Sequence, residues 1–219
     1  MNTKIFTFIF TTLFLLNSTV AQSVKKHKPL KIACVGDSIT FGAAIKNRQK
    51  NSYPAQMALT LGTKAIVKNF GVNSATLLKK GDKPYWKLKQ YKAALAFSPD
   101  IVVIKLGTND SKPKNWKHKA EYTANYIELI QSFQKLPSQP KVWICYPVPA
   151  YPGRWGITDK VMKEEVMPLI DDVAKASKVD IIDLYKALSG KKELFPDSVH
   201  PNAAGAKIMA ETILPIITK

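Results

Sequence analysis

The chain has 219 residues and a formal net charge of +17, from 33 lysines and arginines against 16 acidic residues. This length suits one domain with a sizeable core and excludes a small disulfide-stapled scaffold. Nucleic acid is one partner for a basic surface, but all the basic residues except Arg48 and Arg154 are lysines, spread along the whole chain. Because base reading favours arginine, we expect a solvated lysine surface, attractive to anionic glycans or envelope surfaces, and no nucleic-acid partner.

The first residues have the pattern of an export signal. A short basic start precedes an apolar run, Ile5–Leu16, and a small-residue cleavage site that ends at Ala21. We predict a signal peptide over residues 1–21, a polar leader over 22–29 and one folded domain over 30–219. The apolar run is short for a membrane span, and no cysteine follows the cleavage site, so we expect no stable membrane anchor. The mature protein is then exported, either periplasmic or secreted.

Apolar runs alternate with amphipathic segments along the rest of the chain. The runs predict five strands, namely Leu30–Val35, Ala65–Phe70, Asp100–Leu106, Val142–Tyr146 and Val179–Leu184. The segments between and after them predict helices over Tyr53–Leu61, Pro84–Phe97, His118–Leu136, Thr158–Ser177 and Asn202–Ile217, the last bent or ended at Pro215. This alternation predicts a three-layer α/β/α fold with a five-stranded parallel sheet of flavodoxin-like order, 2-1-3-4-5, and ligands bound at the carboxyl ends of the strands.

The two cysteines, Cys34 and Cys145, lie inside apolar strand-like runs. The predicted strand order places another strand between them, so a disulfide bond is not expected. We interpret both as buried free thiols that pack as small hydrophobic side chains.

Ser38 follows the first predicted strand directly, in the turn Val35-Gly36-Asp37-Ser38. This position lies in the predicted ligand crevice, where a hydroxyl is a candidate nucleophile and turn N–H groups can stabilise an anion. Gly-Asp-Ser is also an ordinary turn with a helix cap, which remains the alternative interpretation.

His200 is the candidate base among the three histidines of the chain. His27 lies in the leader, and His118 lies in a lysine-rich stretch that is typical of a solvated surface. Asp197 precedes His200 by one turn, so its carboxylate can reach the imidazole and fix its tautomer. The alternative is that Asp197 only caps a turn and His200 lies on the surface.

Polar residues also follow the second and third predicted strands. Asn109, in Gly107-Thr-Asn109-Asp110, can donate a side-chain N–H to a developing oxyanion, and the stretch Asn69–Thr76 can offer a backbone N–H. Glycine and asparagine are common in turns as well, so neither stretch is decisive alone. All these positions converge in a doubly wound sheet.

Taken together, these stretches resemble the GDSL, or SGNH, hydrolase superfamily. Gly36-Asp37-Ser38-Ile39 is similar to its first block, Gly107–Asp110 to its G-x-N-D block and Asp197–His200 to its D-x-x-H block. The resemblance covers nearly the whole mature chain in the right order. The second block departs from the family pattern G-x-S-G-x-T, because Gly71–Thr76 places Ser74 where the later glycine stands.

The resemblance implies a serine esterase that needs no metal ion or other cofactor. It assigns the nucleophile to Ser38, the base to His200 and the acid to Asp197. The oxyanion donors that it implies are the backbone N–H of Ser38, the side chain of Asn109 and the backbone N–H of Ser74, or of Gly71 if the alignment of the second block is shifted.

The substrate is predicted less directly. The stretch Gly71–Trp86 resembles secreted bacterial sialate O-acetylesterase-like proteins and carbohydrate esterases, which implies removal of acetyl or another short acyl group from a carbohydrate. Candidate substrate-binding side chains are Asp37, Tyr151 and Trp155, with Tyr85, Trp86 and Arg154 as further possibilities. The aromatic ones also suit packing of a helix or a long loop.

Other functions remain open at this point. The same catalytic groups suit a lysophospholipase, a thioesterase or an arylesterase, and a glycan-binding module without turnover is an alternative of another class. The sequence leaves the oligomeric state and the exact ester open.

Overall fold

The computed structural model describes residue 1 and residues 28–219. The predicted signal peptide and most of the leader, including His27, therefore lie outside the described residues and remain predictions. Within the described part of the chain, no helix has the length and apolar character needed to cross a membrane.

The strands follow the apolar runs of the sequence. In chain order they are β1 (Leu30–Gly36), β2 (Ala65–Gly71), β3 (Ile101–Lys105), β4 (Lys141–Cys145), β5 (Gly153–Arg154), β6 (Ile157–Thr158) and β7 (Asp180–Ile182). Five of them form a parallel sheet in the order β2-β1-β3-β4-β7, and β5 and β6 form a separate antiparallel hairpin. The predicted flavodoxin-like order is confirmed.

Helices connect these strands. They are α1 (Ser38–Phe41), α2 (Arg48–Asn51), α3 (Tyr53–Leu61), α4 (Lys89–Ala96), α5 (Pro113–Trp116), α6 (Tyr122–Gln134), α7 (Asp159–Val161), α8 (Met167–Ser177), α9 (Leu184–Leu188) and α10 (Ala203–Ile217). A π-helical segment, Met162–Val166, joins α7 to α8, and the Thr158 side chain caps α7 by accepting from the Val161 N–H. Short 3-10 turns occur at Gly62–Lys64, Tyr85–Lys87, Lys119–Glu121 and Lys192–Leu194.

Two apolar layers enclose the sheet. On one face Ile32, Cys34 and Val103 pack with side chains of α3, α9 and α10. On the other face Ala33 and Val35 pack with side chains of α4, α6 and α8. Burial on both faces explains why the strands are continuous apolar runs rather than alternating ones, and it confirms the three-layer α/β/α architecture.

Several predicted element bounds are wrong, each for a local reason. The helix predicted from Pro84 begins only at Lys89, because Leu88 is extended and the Trp86 indole donates to the Leu77 carbonyl. The helix predicted from His118 becomes α-helical only at Tyr122, after a 3-10 turn.

At the carboxyl end of the chain one further bound differs. Leu184 begins α9 rather than ending a strand, because the Asp183 side chain accepts from the Lys186 N–H and caps this helix. α10 continues past Pro215 to Ile217, so the proline lies inside the helix and does not end it.

The two cysteines are buried free thiols, as predicted. Cys34 lies on β1 and Cys145 on β4, and β3 runs between these strands. Burial raises the pKa of the Cys145 thiol to about 12 and raises that of Cys34 further. Neither thiol is therefore reactive at neutral pH.

Candidate active site

Ser38 lies at the carboxyl end of β1, where the chain turns into α1. Gly36 ends the strand against β3, and a Cβ at this position would stand 2.6 Å from the Lys105 carbonyl oxygen. Asp37 is the N-cap residue of α1, and its Oδ1 accepts from the Ile39 N–H at 2.9 Å. These contacts place the Ser38 side chain, which is 8% exposed, at the edge of a cavity.

His200 lies between Ser38 and Asp197. Its Nε2 is 2.7 Å from the Ser38 Oγ, across a separation of 162 residues, and its Nδ1 is 2.7 Å from Asp197 Oδ2. The Asp197 carboxylate accepts a hydrogen bond from Nδ1–H, so Nε2 is left as the acceptor that faces the serine hydroxyl. The structure thus brings the three predicted residues together in the geometry of a hydroxyl, its base and the group that orients the base.

The Asp197 carboxylate is held in its ionised form. Burial acts to raise its pKa, but N–H groups of the His200 backbone, the His200 ring and the Val199 backbone act in the opposite direction and lower it below the ordinary value. The backbone donors lie at 2.7 Å for His200 and 3.1 Å for Val199. An anion at this position stabilises an imidazolium on His200.

Two predicted oxyanion donors line the same cavity as Ser38. Ser74 has a φ of 62°, a left-handed conformation that explains why glycine is favoured at this place in the family pattern. Asn109 donates one side-chain N–H to the Ala75 carbonyl at 3.1 Å, which leaves its second N–H for a ligand. This hydrogen bond ties the Asn109 amide to Ala75, the residue that follows Ser74.

Gly71, the alternative donor, is not available. Its N–H already donates to Asn69 Oδ1 at 2.9 Å, within β2. A Cβ on Gly71 would stand 2.2 Å from the Phe41 backbone nitrogen, so the glycine is needed for the close approach of β2 to α1. The structure therefore favours the family alignment in which Ser74 is the donor.

A buried carboxylate, Asp110, supports the loop that carries Ser74. Its two oxygens accept from the Leu77 N–H at 3.0 Å and the Leu78 N–H at 2.7 Å. Burial raises the pKa of Asp110 to about 6, against the opposing effect of these N–H groups. The G-x-N-D block thus supplies a donor through Asn109 and a loop anchor through Asp110.

An ion pair between Lys105 and Asp37 lies directly behind Ser38 and was not predicted. Lys105 Nζ is 3.0 Å from Asp37 Oδ2 and 2.6 Å from Thr108 Oγ1, and both charged side chains are fully buried. The assignment of Asp37 to substrate binding was wrong, because this carboxylate faces the protein interior. The sequence signal that could have indicated this ion pair is Lys105 itself, a lysine at the end of the strand Ile101–Lys105, which is buried on both faces. A buried lysine almost always has an acidic partner.

The cavity beside Ser38 has a volume of about 410 Å³, and Thr108, Lys112, Val199 and Trp155 contribute to its lining. Trp155 lies at the tip of the β5–β6 hairpin, is 52% exposed and has its ring centroid 5.7 Å from that of His200. Trp155 and Gly156 both have positive φ, as the type I′ form of a two-residue hairpin loop requires. A tryptophan in this conformation is strained, and such strain occurs preferentially at functional sites.

Other aromatic candidates are structural. Tyr151 was wrongly assigned to the substrate site, since its hydroxyl donates to the Leu188 carbonyl at 2.9 Å and its ring packs on Phe195. Tyr85 is buried, with its hydroxyl on the Phe70 carbonyl. The Arg154 guanidinium lies 4.6 Å from the centre of the Trp155 ring.

His118 is half-buried at the start of a 3-10 turn and does not line the cavity. In the described part of the chain, no three His, Cys, Asp or Glu side chains are grouped so that they would hold a metal ion.

Solved structures share this fold. A carbohydrate acetylesterase from Sinorhizobium meliloti superposes with a TM-score of 0.70 at 20% identity, covering 86% of this chain and 98% of that one. The aryl esterase of M. smegmatis gives a TM-score of 0.68 at 18% identity, with coverages of 86% and 98%. At these identities the similarity concerns the fold.

Sequence comparison is more specific. An acetylxylan esterase of Xylanibacter ruminicola is 42% identical over 206 residues, which cover 86% of this chain and 43% of the relative. A multidomain esterase of Ruminococcus flavefaciens is 26% identical over 118 residues, or 52% of this chain and 15% of the relative. The chain thus spans less than half the length of these curated relatives.

Residues 34–208 match the GDSL-like lipase/acylhydrolase family. This match covers most of the chain and contains Ser38, Asn109, Asp197 and His200, which confirms the resemblance read from the sequence blocks. The chain belongs to the GDSL-like lipase/acylhydrolase family of ester hydrolases.

Proposed function

We propose that this protein is a serine esterase that removes acetyl or other short acyl groups from a carbohydrate through an acyl-enzyme on Ser38. One observation carries the proposal: His200 Nε2 lies 2.7 Å from Ser38 Oγ while its Nδ1 lies 2.7 Å from Asp197. This geometry suits proton removal from the serine, with the imidazolium stabilised by the carboxylate.

Acylation begins with the transfer of the Ser38 hydroxyl proton to His200 Nε2. The Ser38 oxygen forms a bond to the ester carbonyl carbon, and the carbonyl oxygen becomes an oxyanion. Its donors are the backbone N–H groups of Ser38 and Ser74 and the free side-chain N–H of Asn109, all at the same cavity. Donors of this kind each contribute about 10²–10³-fold to the rate.

Collapse of the tetrahedral intermediate expels the sugar alcohol, which takes the proton from His200. A water then loses a proton to His200, attacks the acyl carbonyl and releases the acid, returning Ser38 to its hydroxyl form. Every step uses groups of the chain itself, so the proposed reaction needs neither a metal ion nor a cofactor.

The preference for short acyl groups on sugars is supported by the shape and lining of the cavity. Its apolar lining is limited to four side chains, namely Ala43, Ile157, Val199 and Trp155. These side chains are too few to cover a long acyl chain, whereas the exposed Trp155 ring offers a flat surface to a sugar. The acetylxylan esterase relative supports the same substrate class.

The protein is also proposed to be exported, with cleavage of residues 1–21. The basic start, the apolar run and the small-residue site support this. Mass spectrometry of the protein recovered from the culture medium or periplasm would test it, since retention of residues 1–21 would contradict the proposal.

The central test is hydrolysis of p-nitrophenyl esters from C2 to C12 and of acetylated xylo-oligosaccharides, by the wild-type chain and by Ser38→Ala. We expect activity to be greatest at C2, to extend to the sugar acetate and to fall by at least about 10⁴-fold in Ser38→Ala. Ser189→Ala, an exposed serine at the end of α9, is the matched control and should leave the rate unchanged.

Two outcomes would contradict the proposal in different ways. Maximal activity on long chains would overturn the carbohydrate substrate and keep the acyl-enzyme. Activity that survives in Ser38→Ala would overturn the nucleophile.

A further inference from the structure

The cavity beside Ser38 is lined by two lysines, Lys112 and Lys114, and by no acidic side chain among the described residues. Neither lysine has a role in the proposed acylation and deacylation steps. Because no acidic side chain in the described part of the chain lines the cavity, an uncompensated lysine in its wall makes the electrostatic potential inside the cavity positive.

The two lysines differ in their pairing. Lys114 Nζ lies 2.6 Å from Asp82 Oδ2, so its charge is already compensated, and Asp82 is held in turn by the Asn115 side chain at 3.0 Å. Lys112 Nζ makes no ion pair or hydrogen bond with any of the residues that the structure describes. Lys112 is therefore the cation in the cavity wall that is free to take an anionic ligand.

Lys112 is also partly withdrawn from water. It is half-buried, and burial lowers its pKa; Asp82 acts against this effect, and Lys114 adds to it. A desolvated ammonium without a partner is unfavourable, and an incoming anion would relieve this cost.

Lys112 lines the same cavity as Ser38 and Asn109, and its backbone is held next to the Asn109 backbone. Its N–H approaches the Asn109 carbonyl at 3.4 Å, and the Asn115 side chain donates to the same carbonyl at 2.8 Å. The oxyanion donor Asn109 and the cation Lys112 thus belong to one hydrogen-bonded segment. A ligand on Lys112 is accordingly a part of the substrate close to the scissile ester.

We propose that Lys112 binds a carboxylate group of the substrate, so that the preferred substrate is an acylated glycan that carries a uronic-acid type sugar at or beside the esterified sugar. This inference rests on the proposed esterase function. It adds a charge preference that the triad and the oxyanion donors do not supply.

The test measures inhibition of p-nitrophenyl acetate hydrolysis by two xylo-oligosaccharides of equal length, one neutral and one bearing a glucuronic acid. For the wild-type chain we expect an inhibition constant about two- to fivefold lower for the acidic oligosaccharide, the range of a partly exposed ion pair. This difference should decrease as salt is added. Lys112→Gln should remove the difference, and Lys112→Glu should reverse it.

The control is Lys207→Gln, an exposed position on α10 outside the cavity that carries the same change of charge. It should retain the preference for the acidic oligosaccharide. Equal inhibition constants for both oligosaccharides, inhibition by neither, or a preference that survives in Lys112→Gln would each overturn the inference. Absence of p-nitrophenyl ester hydrolysis in the wild-type chain would instead overturn the proposed function on which it rests.

Discussion

A buried polar cluster next to Ser38, called the floor here and formed by Asp37, Lys105, Thr108 and Asp110, differs from the rim of the cavity, formed by the β5–β6 hairpin, in burial and in pairing. Each floor side chain is buried and has partners, through the Lys105–Asp37 ion pair, the Thr108 hydroxyl and the backbone donors on Asp110. The rim instead presents Trp155 to solvent, on a hairpin held by two residue pairs.

Because of this difference, substitutions in the floor and in the rim should have different effects. Buried charges have a large desolvation cost, so they remain tolerable only while their partners are present. An exposed aromatic ring on a small hairpin is coupled to little else. Changes in the floor should therefore affect folding and chemistry together, whereas changes in the rim should affect substrate binding alone.

The largest effect is expected from Lys105→Met, which leaves the Asp37 carboxylate buried without its cation. We expect the free energy of unfolding to fall by about 3–5 kcal/mol, measured by urea denaturation. The double variant Lys105→Met with Asp37→Asn should recover much of this loss, because it removes the orphaned charge and keeps an oxygen to cap Ile39. If the free energy of unfolding of Lys105→Met lay within about 1 kcal/mol of the wild-type value, the ion pair would not be important for stability.

Asp110 should give the floor a characteristic pH dependence. Its pKa is about 6 in the folded chain against 3.8 ordinarily, so the folded state binds the proton more tightly. The stability contributed by the protonated carboxyl is present below pH 4 and is lost as pH rises through 6, by about 3 kcal/mol at most.

Comparison with Asp110→Asn isolates this contribution, since asparagine does not titrate. The free energy of unfolding of the wild type, minus that of the variant, should decrease between pH 4 and pH 7. An increase over this range would show that Asp110 is stabilised as the anion. The lowered pKa of Asp197 acts in the opposite direction and is common to both proteins.

The smallest effect on folding is expected from Trp155→Asn at the rim. Asparagine tolerates the positive φ of this position and gives the Asn-Gly loop that hairpins favour, which offsets the lost ring contacts. We expect the free energy of unfolding to change by less than about 1 kcal/mol. The KM for acetylated oligosaccharides should rise about three- to tenfold with kcat little changed.

A parallel change in kcat for p-nitrophenyl acetate would contradict this assignment. It would mean that Trp155 acts on His200 rather than on the sugar.

Features that depend on local pattern were predicted correctly. Continuous apolar runs such as Ile101–Lys105 identified the parallel strands, and sequence blocks identified Ser38 and His200 as partners although they lie far apart in the chain. Both kinds of signal are carried by a few consecutive residues.

Features that depend on pairing across the fold were missed or misassigned. Whether Asp37 faces a ligand or the interior depends on Lys105, which reaches it from β3. Whether Ser74 or Gly71 is the backbone oxyanion donor depends on their other hydrogen bonds, and the Gly71 N–H already donates to the Asn69 side chain. Lys112 and Lys114 are similar in the sequence, and they differ in the structure because Lys114 is exposed and paired with Asp82 whereas Lys112 is half-buried and unpaired among the described residues.

The Asp197–His200 segment lies immediately before α10, whereas Ser38 lies at the first strand. α10 packs on α3, and the Gln56 side chain donates to the Ala203 carbonyl at 3.1 Å, so docking of this last helix fixes the histidine opposite the serine. Until α10 docks, a refolding chain has no base opposite Ser38 and cannot cleave an ester. The rate at which hydrolysis recovers after dilution from denaturant therefore reports the docking of α10. A spectroscopic signal recorded in the same experiment would report the formation of the sheet, so the two rates can be compared.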